Sequence, residues 1–134
     1  MTREVFLDSS AIFAWSDLAS RDGQEVESFI EQGQASLVTT NLIVAETLSL
    51  VTKRVGKFKG IEVGEKLENS SIVQVVHLDE KIQKEAWQLY KKYKDKDFDL
   101  IDATSFVFCQ KRKIHEVLTL DHHFAQMGFK VYPL

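Results

Sequence analysis

Hydrophobic and polar residues follow two different periodicities along this chain, and the two alternate. Short runs rich in β-branched and aromatic residues are typical of strands, and they occur at residues 4–7, 35–39, 72–76, 116–119 and 130–132. Between these runs, apolar residues recur every three or four positions, as expected on one face of a helix. In residues 79–94 this apolar face consists of Ile82, Ala86, Leu89 and Tyr93.

The same helical spacing predicts further helices at about residues 21–32, 41–55, 58–69 and 102–113. Shorter helical runs are expected directly after Asp8 and Asp121. Strands that alternate with helices in this way form a parallel sheet whose two faces are covered by helices. The predicted fold class is therefore α/β.

The length of the chain limits its organisation. Its 134 residues, 44% of them hydrophobic, suffice for one hydrophobic core and are too few for two ordinary domains. No repeat, low-complexity tract or Pro-rich linker divides the sequence, and Pro133 is the only proline. We therefore expect a single domain over residues 1–134.

Cysteine content and charge restrict the function classes. Cys109 is the only cysteine and lies in an apolar run, so we expect a buried thiol in a protein of the reducing cytoplasm. No apolar segment reaches the length of a signal peptide core or a membrane span, so neither secretion nor membrane insertion is expected. The net charge of −3 argues against a bulk polycation, although local basic patches remain compatible with it.

Acidic residues stand where predicted strands give way to helices. Asp8 directly follows the first strand, and Asp121 follows the fourth. Open parallel sheets bind their ligands at the carboxyl ends of the strands, where both acids fall. Asp102 begins the helix before the fourth strand, and Asp99, three residues earlier, could share a cation with it.

Helix capping is the competing interpretation of these aspartates. Asp is a favoured N-cap residue, and Asp8, Asp99 and Asp121 each precede a helical run. Asp99 and Asp102 also have the spacing of a capping box, with Asp where Glu or Gln is more usual. For each of these residues taken alone, capping and metal binding both stay open.

Glu46 is harder to explain by a structural role. Its helical neighbours include Leu42 and Leu50, so the acid lies on a face that looks buried. The nearest basic residues on the helix, Lys53 and Arg54, are seven and eight positions away. A buried carboxylate needs a compensating partner, and a cluster of carboxylates would be compensated by Mg²⁺ or Mn²⁺, which prefer oxygen ligands.

Four segments with acidic residues follow one another along the chain. They are Val5-Phe6-Leu7-Asp8-Ser9-Ser10, Val44-Ala45-Glu46-Thr47-Leu48, Asp99-Leu100-Ile101-Asp102-Ala103-Thr104-Ser105-Phe106 and Leu118-Thr119-Leu120-Asp121-His122-His123-Phe124. In order and spacing they resemble the PIN-domain family, of the kind found as toxins of VapBC-type toxin–antitoxin pairs. The resemblance covers nearly the whole chain and implies a three-layer α/β/α sandwich with a central parallel sheet.

The resemblance also implies an activity and its residues. The activity is that of a metal-dependent endoribonuclease, with an antitoxin protein as partner. The matched acids would be catalytic and would bind Mg²⁺ or Mn²⁺ directly or through water; they are Asp8, Glu46, Asp102 and Asp121. Many relatives carry a small hydroxyl residue at the position of Asp99, so Asp99 could be an additional metal ligand or only a helix cap.

Neighbouring polar residues could orient this site. The hydroxyls of Ser9 and Thr119 are close to the proposed ligands in sequence, and Thr119 is similar to a position that orients the site in the family. Asp97 lies in a charged run and is expected to be solvated, whereas His122 and His123 lack the spacing of a zinc site. His123 is instead expected to shape the start of the last helix.

Local basic clusters are candidate contacts for RNA phosphates. We assign Lys53, Arg54 and Lys57, which follow the helix of Glu46, as candidate RNA-binding residues, although exposed lysines are usually only solvated. The apolar helical segments between residues 41 and 69 could form a homodimer interface, a hypothesis that sedimentation of a monomer alone would reject.

The alternative to an enzyme is a PIN-like module that is catalytically weak or inactive and binds RNA or protein. The acids would then cap helices or attract a basic partner such as the antitoxin. Other phosphate-handling α/β classes are disfavoured. The chain lacks a Gly-rich phosphate loop, and Asp8 lacks the second acid, two positions on, of a dehalogenase-like phosphatase.

Overall fold

Five parallel strands form one sheet in the computed structural model, which describes residues 3–133. The strands are β1 (Glu4–Leu7), β2 (Ser36–Thr40), β3 (Val73–Val76), β4 (Glu116–Leu118) and β5 (Lys130–Tyr132), in the spatial order β3-β2-β1-β4-β5. Each observed pairing is parallel, and each strand begins and ends within one residue of its predicted position. The predicted parallel sheet is confirmed.

Helices occupy the connections between the strands. Within residues 3–133 they are α1 (Ser9–Trp15), α2 (Arg21–Glu31), α3 (Asn41–Arg54), α4 (Lys57–Glu68), α5 (Glu80–Lys92), α6 (Leu100–Arg112) and α7 (His123–Gln126). α1 contacts α2 and α3, α3 contacts α4, and α5 contacts α6, which confirms the α/β/α sandwich. None of these helices has the length and apolar character that a membrane crossing would require.

Local sequence explains where several helices begin. The side chains of Ser20, Thr40 and Asp79 each accept a hydrogen bond from the backbone N–H three residues on, at the starts of α2, α3 and α5. α6 begins with the predicted capping box, in which Asp99 and Asp102 each bond the backbone N–H of the other. α6 is then buried from residue 102 to 109, so Asp102 lies at the boundary of the core.

The core is built around β1 and α6. Val5, Phe6 and Leu7 of β1 are fully buried. Phe106 of α6 packs edge-on against Phe124 of α7, with ring centroids 5.0 Å apart. Cys109 is buried in the same core as a free thiol, as predicted, and burial raises the pKa of that thiol.

The strand order reverses beside β1, and this reversal positions the site. From β1 the chain moves outward through β2 to β3 and then returns on the other side of β1 as β4. Because β1 and β4 are parallel, their carboxyl ends lie side by side, where open α/β sheets bind ligands. Asp8 follows β1 at this edge, and its N–H donates to the carbonyl of Leu118 in β4 over 3.1 Å.

Candidate metal centre

Asp8 is buried at the carboxyl end of β1. It occupies the N-cap position of α1, but its side chain makes no capping hydrogen bond, so capping does not explain this residue. Oδ2 accepts hydrogen bonds from Thr119 Oγ1 over 2.8 Å and from Ser10 Oγ over 3.3 Å. Oδ1 is buried and has no partner among the described residues. Burial raises the pKa of Asp8 despite the bond from Thr119, because the charged form loses its hydration.

Thr119 links Asp8 to Asp121. Its Oγ1 donates to Asp8 and accepts from the backbone N–H of Asp121 over 3.0 Å. Ser10 Oγ lies 3.0 Å from Thr119 Oγ1 and accepts from the N–H of Leu120 over 2.9 Å. These hydroxyls fasten the loop after β4 to the start of α1, and they bring Thr119 into contact with a proposed metal ligand.

Glu46 reaches the site from the second turn of α3. Ser9 Oγ, at the start of α1, donates to Glu46 Oε1 over 2.5 Å, so these two candidate residues are in direct contact. The side chain is half-buried, which costs the charged form part of its hydration. The pKa of Glu46 is therefore raised, first by burial and then by the charges of Asp99 and Asp8.

Asp102 lies in the first turn of α6 with its carboxylate buried. Its Oδ2 accepts from the N–H of Asp99 over 3.1 Å, and its own N–H donates to Asp99 Oδ1 over 2.8 Å. Burial raises the pKa of Asp102 to about 7, with a further upward contribution from the charge of Asp99. Asp99 thus caps α6, and its role as an additional metal ligand stays a prediction.

His123 lies between the acids, a position that the sequence analysis did not predict. Its Nδ1 is 3.0 Å from Asp121 Oδ1 and 3.2 Å from Asp102 Oδ2, and its Nε2 is 3.0 Å from Asp97 Oδ1. His123 does begin α7 as expected. Burial by itself would lower the pKa of His123, but the nearby carboxylates, Asp121 and Asp102 foremost, raise it.

The contact between His123 and Asp121 could be expected from the sequence, because the two residues are only two positions apart. Asp121 Oδ1 accepts the N–H of His123, two residues on, over 3.1 Å, and such a bond turns the chain back on itself. Asp97 is exposed, as predicted, but it also bonds His123, which is 26 residues away. No local pattern indicates that second contact.

The predicted acids meet at one edge of the sheet. Donor atoms of Asp102, Asp121 and His123 lie within 4.8 Å of one another. The charge of Asp121 contributes to the raised pKa of Asp8, and the charge of Asp8 contributes to that of Asp102. Within residues 3–133, no Lys or Arg forms a salt bridge with Asp8, Glu46, Asp102 or Asp121.

These donors fit a divalent cation. The buried Oδ1 of Asp8 has no partner among the described residues, and Asp102 and Asp121 share the single imidazole of His123. Mg²⁺ and Mn²⁺ prefer carboxylate oxygens, and a bound cation would offset both the burial and the mutual repulsion of the acids. The cluster could therefore hold a metal ion.

The candidate RNA-binding residues lie at the junction of α3 and α4. Lys53, Arg54 and Lys57 are all exposed. The guanidinium of Arg54 lies 5.5 Å from the ring centroid of Phe13 in α1, the helix that also carries Ser9. Their assignment to RNA stays a prediction.

Comparison with known proteins identifies the family. The sequence profile described as PIN domain matches residues 5–130. The chain belongs to the PIN domain family. This PIN domain is 26% identical over 93 residues to the 23S rRNA-specific endonuclease VapC20 of Mycobacterium tuberculosis, which covers 69% of this chain and 70% of that protein. It is 27% identical over 124 residues to Ribonuclease VapC26 of the same organism, which covers 92% of this chain and 91% of that protein.

Solved structures share the fold of this PIN domain. The crystal structure of VapC20 of Mycobacterium tuberculosis, described as a sarcin–ricin loop cleaving toxin, has a TM-score of 0.86 at 22% identity and covers 93% of this chain and 95% of that chain. The structure of VapBC2 from Rickettsia felis, bound to a promoter DNA fragment, has a TM-score of 0.74 at 10% identity and covers 96% of this chain and 97% of that chain. The resemblance to VapC-type PIN-domain toxins is confirmed.

Proposed function

We propose that this PIN domain is a Mg²⁺- or Mn²⁺-dependent endoribonuclease and the toxin of a VapBC-type toxin–antitoxin pair. The observation that carries the proposal is a convergence of acids that have no Lys or Arg partner within residues 3–133: Asp8, Glu46, Asp102 and Asp121. Its place beside the reversal of strand order is where α/β sheets bind ligands. The relatives named as a 23S rRNA-specific endonuclease and a ribonuclease support RNA as the substrate.

The acids would hold the cation, Asp8 through its unpartnered Oδ1. A bound Mg²⁺ or Mn²⁺ would supply an activated water and stabilise negative charge on the scissile phosphodiester. Thr119 holds Asp8 Oδ2 and so orients that carboxylate. Ser9 does the same for Glu46 from the start of α1.

Protons compete with the cation for this site near neutral pH. Because the pKa of Asp102 is about 7 in the metal-free protein, part of this carboxyl is protonated at neutrality. The cation must displace that proton, so metal affinity rises with pH through this range. Titration of the protein with Mn²⁺ on either side of pH 7 measures the effect.

Lys53, Arg54 and Lys57 are proposed to contact the RNA backbone. Each phosphate contact releases counterions, so replacing all three residues by Gln should weaken RNA binding and flatten its dependence on salt. Filter binding in EDTA at several salt concentrations measures this without cleavage. The control replaces Lys81 and Lys84, two lysines that are exposed on α5, and its salt slope is compared per charge removed. An unchanged salt slope in the triple variant would remove these residues from the RNA interface.

An antitoxin and a second copy of the chain are the proposed protein partners, in the cytoplasm. The structural similarity to VapBC2 supports an antitoxin, which could direct a basic side chain toward the acids. Phe58 of α4 is 88% exposed, and Val55 and Ile61 beside it are also exposed, which supports self-association through residues 41–69. Sedimentation of the antitoxin-free protein tests the second partner.

The central experiment incubates antitoxin-free protein with labelled structured and single-stranded RNAs in Mn²⁺, Mg²⁺ or EDTA, with DNA as a control substrate. Asp8→Asn is the test variant. Asp22→Asn, on the exposed first turn of α2, is the matched control. Metal-dependent RNA cleavage that is lost only in Asp8→Asn would support the proposal. Metal binding without cleavage of any RNA would favour the inactive binding module, and absence of metal binding would reject the site.

A further inference from the structure

Each of the two ring nitrogens of His123 lies close to a carboxylate oxygen of another residue. Nε2 lies 3.0 Å from Asp97 Oδ1, and the pair has the geometry of a hydrogen bond. Nδ1 faces two carboxylates instead, at 3.0 Å from Asp121 Oδ1 and 3.2 Å from Asp102 Oδ2. The ring is only 14% exposed, so neither nitrogen is freely hydrated.

The two nitrogens differ in their hydrogen bonding. Nδ1 is buried and makes no hydrogen bond with either carboxylate, although both are close. If Nε2 carries the ring proton and donates a hydrogen bond to Asp97, the neutral ring has a lone pair on Nδ1. That lone pair then lies 3.0 and 3.2 Å from negatively charged oxygens, and the repulsion is removed only by a positive charge at Nδ1, which either a proton or a metal ion can supply.

The distances around Nδ1 match those between ligands of one ion. Donors on adjacent corners of an octahedral ion with bonds of about 2.1 Å lie about 3.0 Å apart. Nδ1 is 3.0 and 3.2 Å from the two carboxylate oxygens. A ligand histidine also commonly donates its other N–H to a carboxylate, as His123 does to Asp97.

Asp8 supplies an independent sign of a missing positive partner. Its side chain is 2% exposed, and Oδ1 has no hydrogen-bond partner among the described residues. The carboxylate is part of the same charged group, because its charge acts on Asp102. A cation bound to Asp102, Asp121 and His123 would therefore also lower the electrostatic cost of the buried Asp8 carboxylate.

We propose that Nδ1 of His123 binds the same divalent cation as Asp102 and Asp121. The inference rests on the proposed metal-dependent function and deepens it, because a nitrogen donor changes which metal the site prefers. Imidazole suits transition metals, whereas Mg²⁺ favours oxygen ligands. The centre should therefore bind Mn²⁺ more tightly than Mg²⁺, and Asp97 orients the ring that confers this preference.

Pulsed electron paramagnetic resonance of bound Mn²⁺ tests the inference, because a coordinated imidazole gives a nitrogen hyperfine coupling. Three proteins are compared: wild type, His123→Gln, and His122→Gln as the control. His122 is 65% exposed and adjacent in sequence, and its Nδ1 lies 3.5 Å from Asp121 Oδ1, so this control shows which of the two neighbouring imidazoles binds the metal. We expect the coupling in wild type and in His122→Gln, its loss in His123→Gln, and Mn²⁺ affinity in His123→Gln reduced about tenfold or more.

The outcomes separate this inference from the proposed function. Mn²⁺ bound to wild type without nitrogen coupling, or a coupling that persists in His123→Gln, would overturn the role of His123 and leave a metal site built from oxygen donors alone. Failure of wild type to bind Mn²⁺ would overturn both. The wild-type spectrum is decisive by itself, so the test does not depend on the folding of a variant.

Discussion

The acidic residues at the amino and carboxyl ends of the central sheet differ in their partners and in the direction of their pKa shifts. At the amino end, Glu4 of β1 is held by Arg112, and Glu116 of β4 is held by Arg3. Each pair forms two hydrogen bonds of 2.8 to 3.0 Å. These bonds from arginine lower the pKa of both glutamates, because they stabilise the charged form.

At the carboxyl end of the same strands, Asp8 and Asp102 are more buried and have no Lys or Arg partner within residues 3–133. Asp8 follows Glu4 by four residues, yet no Lys or Arg in the described chain forms a salt bridge with it. Asp102, in the helix before β4, is also buried. Burial raises the pKa of both residues, which is the reverse of the shift at the amino end.

The difference separates acids that arginine neutralises from acids that no Lys or Arg neutralises within residues 3–133. At the amino end, each glutamate charge is neutralised by an arginine of the same chain. The carboxyl end keeps a group of buried charges that lowers the stability of the metal-free chain, and such local conflicts are typical of functional sites. A bound cation would supply the positive charge that arginine supplies at the other end.

The largest expected effect comes from removing one buried carboxylate that has no Lys or Arg partner within residues 3–133. Asp102→Asn keeps the shape of the side chain and an acceptor for the N–H of Asp99, but it removes a proposed metal ligand. RNA cleavage should fall by about a hundredfold or more. In EDTA at pH 8 the same variant should be more stable than wild type by about 1 to 3 kcal/mol, because a buried charge with a raised pKa is gone.

Glu4→Gln is the matched change at the amino end. It should leave cleavage intact and lower the free energy of unfolding by about 1 kcal/mol, since it breaks a pair with Arg112. Urea unfolding and RNA cleavage, measured on both variants, give the comparison. A loss of stability in Asp102→Asn would contradict the view that the buried Asp102 charge destabilises the metal-free protein.

The next effect concerns the hydroxyl that orients Asp8. Thr119→Val removes the bond to Asp8 Oδ2 and the acceptor for the N–H of Asp121, at almost constant volume. Loss of such an orienting contact should reduce Mn²⁺ affinity or RNA cleavage by about 10- to 100-fold. Thr47→Val is the control, because the Thr47 hydroxyl is equally buried but bonds the carbonyl of Ile43 in its own helix. Equal losses in both variants would assign Thr119 a structural role only.

The pH dependence of stability should differ between the two ends. In the metal-free protein the pKa of Asp102 rises from 3.8 to about 7, so the unfolded chain loses this proton at lower pH than the folded chain. Stability should therefore fall as pH rises from about 4 to about 7 and then level off. The raised pKa of His123 adds a loss in the same direction as pH rises through its folded value.

The arginine pairs act with the opposite sign. The lowered pKa of Glu4 and Glu116 contributes stability above their ordinary value of 4.5, and this contribution is lost as pH falls through their folded values. Thermal unfolding in EDTA from pH 3 to 8 measures both parts of the stability profile, the acidic limb below about pH 4 and the limb above it. Asp102→Asn should flatten the limb above pH 4 and leave the acidic limb intact; an unchanged profile would argue against the raised pKa.

The smallest effect is expected at the amino end. Arg112→Ala removes the pair with Glu4 and should lower the free energy of unfolding by about 1 kcal/mol, less at high salt, with RNA cleavage unchanged. Arg21→Ala is the control, because Arg21 is 91% exposed in its pair with Glu25, which should therefore contribute less. Urea unfolding at two salt concentrations distinguishes them. Reduced cleavage in Arg112→Ala would show that the two ends are coupled.

Local pattern predicted most of the fold. Strand runs and helical periodicity place the five strands and the five longer helices within two residues of their observed ends, because both periodicities depend on neighbours close in sequence. The capping box of Asp99 and Asp102 is likewise local. The acids could be predicted as a group because they follow strands whose carboxyl ends share one edge of a parallel sheet.

The composition of the site was decided by tertiary structure. The contact of Ser9 with Glu46 spans 37 residues, and that of Asp97 with His123 spans 26. Which oxygen of Asp8 lacks a partner depends on Thr119, 111 residues away. No short-range pattern encodes these distances.

The sequence by itself determined the elements, the class of sheet and the acids available at its carboxyl edge. Tertiary structure alone decided that β4 lies beside β1, and so which of those side chains meet and that an imidazole stands among them. The physical reason is one of range: periodicity and capping act over about one helical turn, whereas strand order brings together residues that are far apart in the chain.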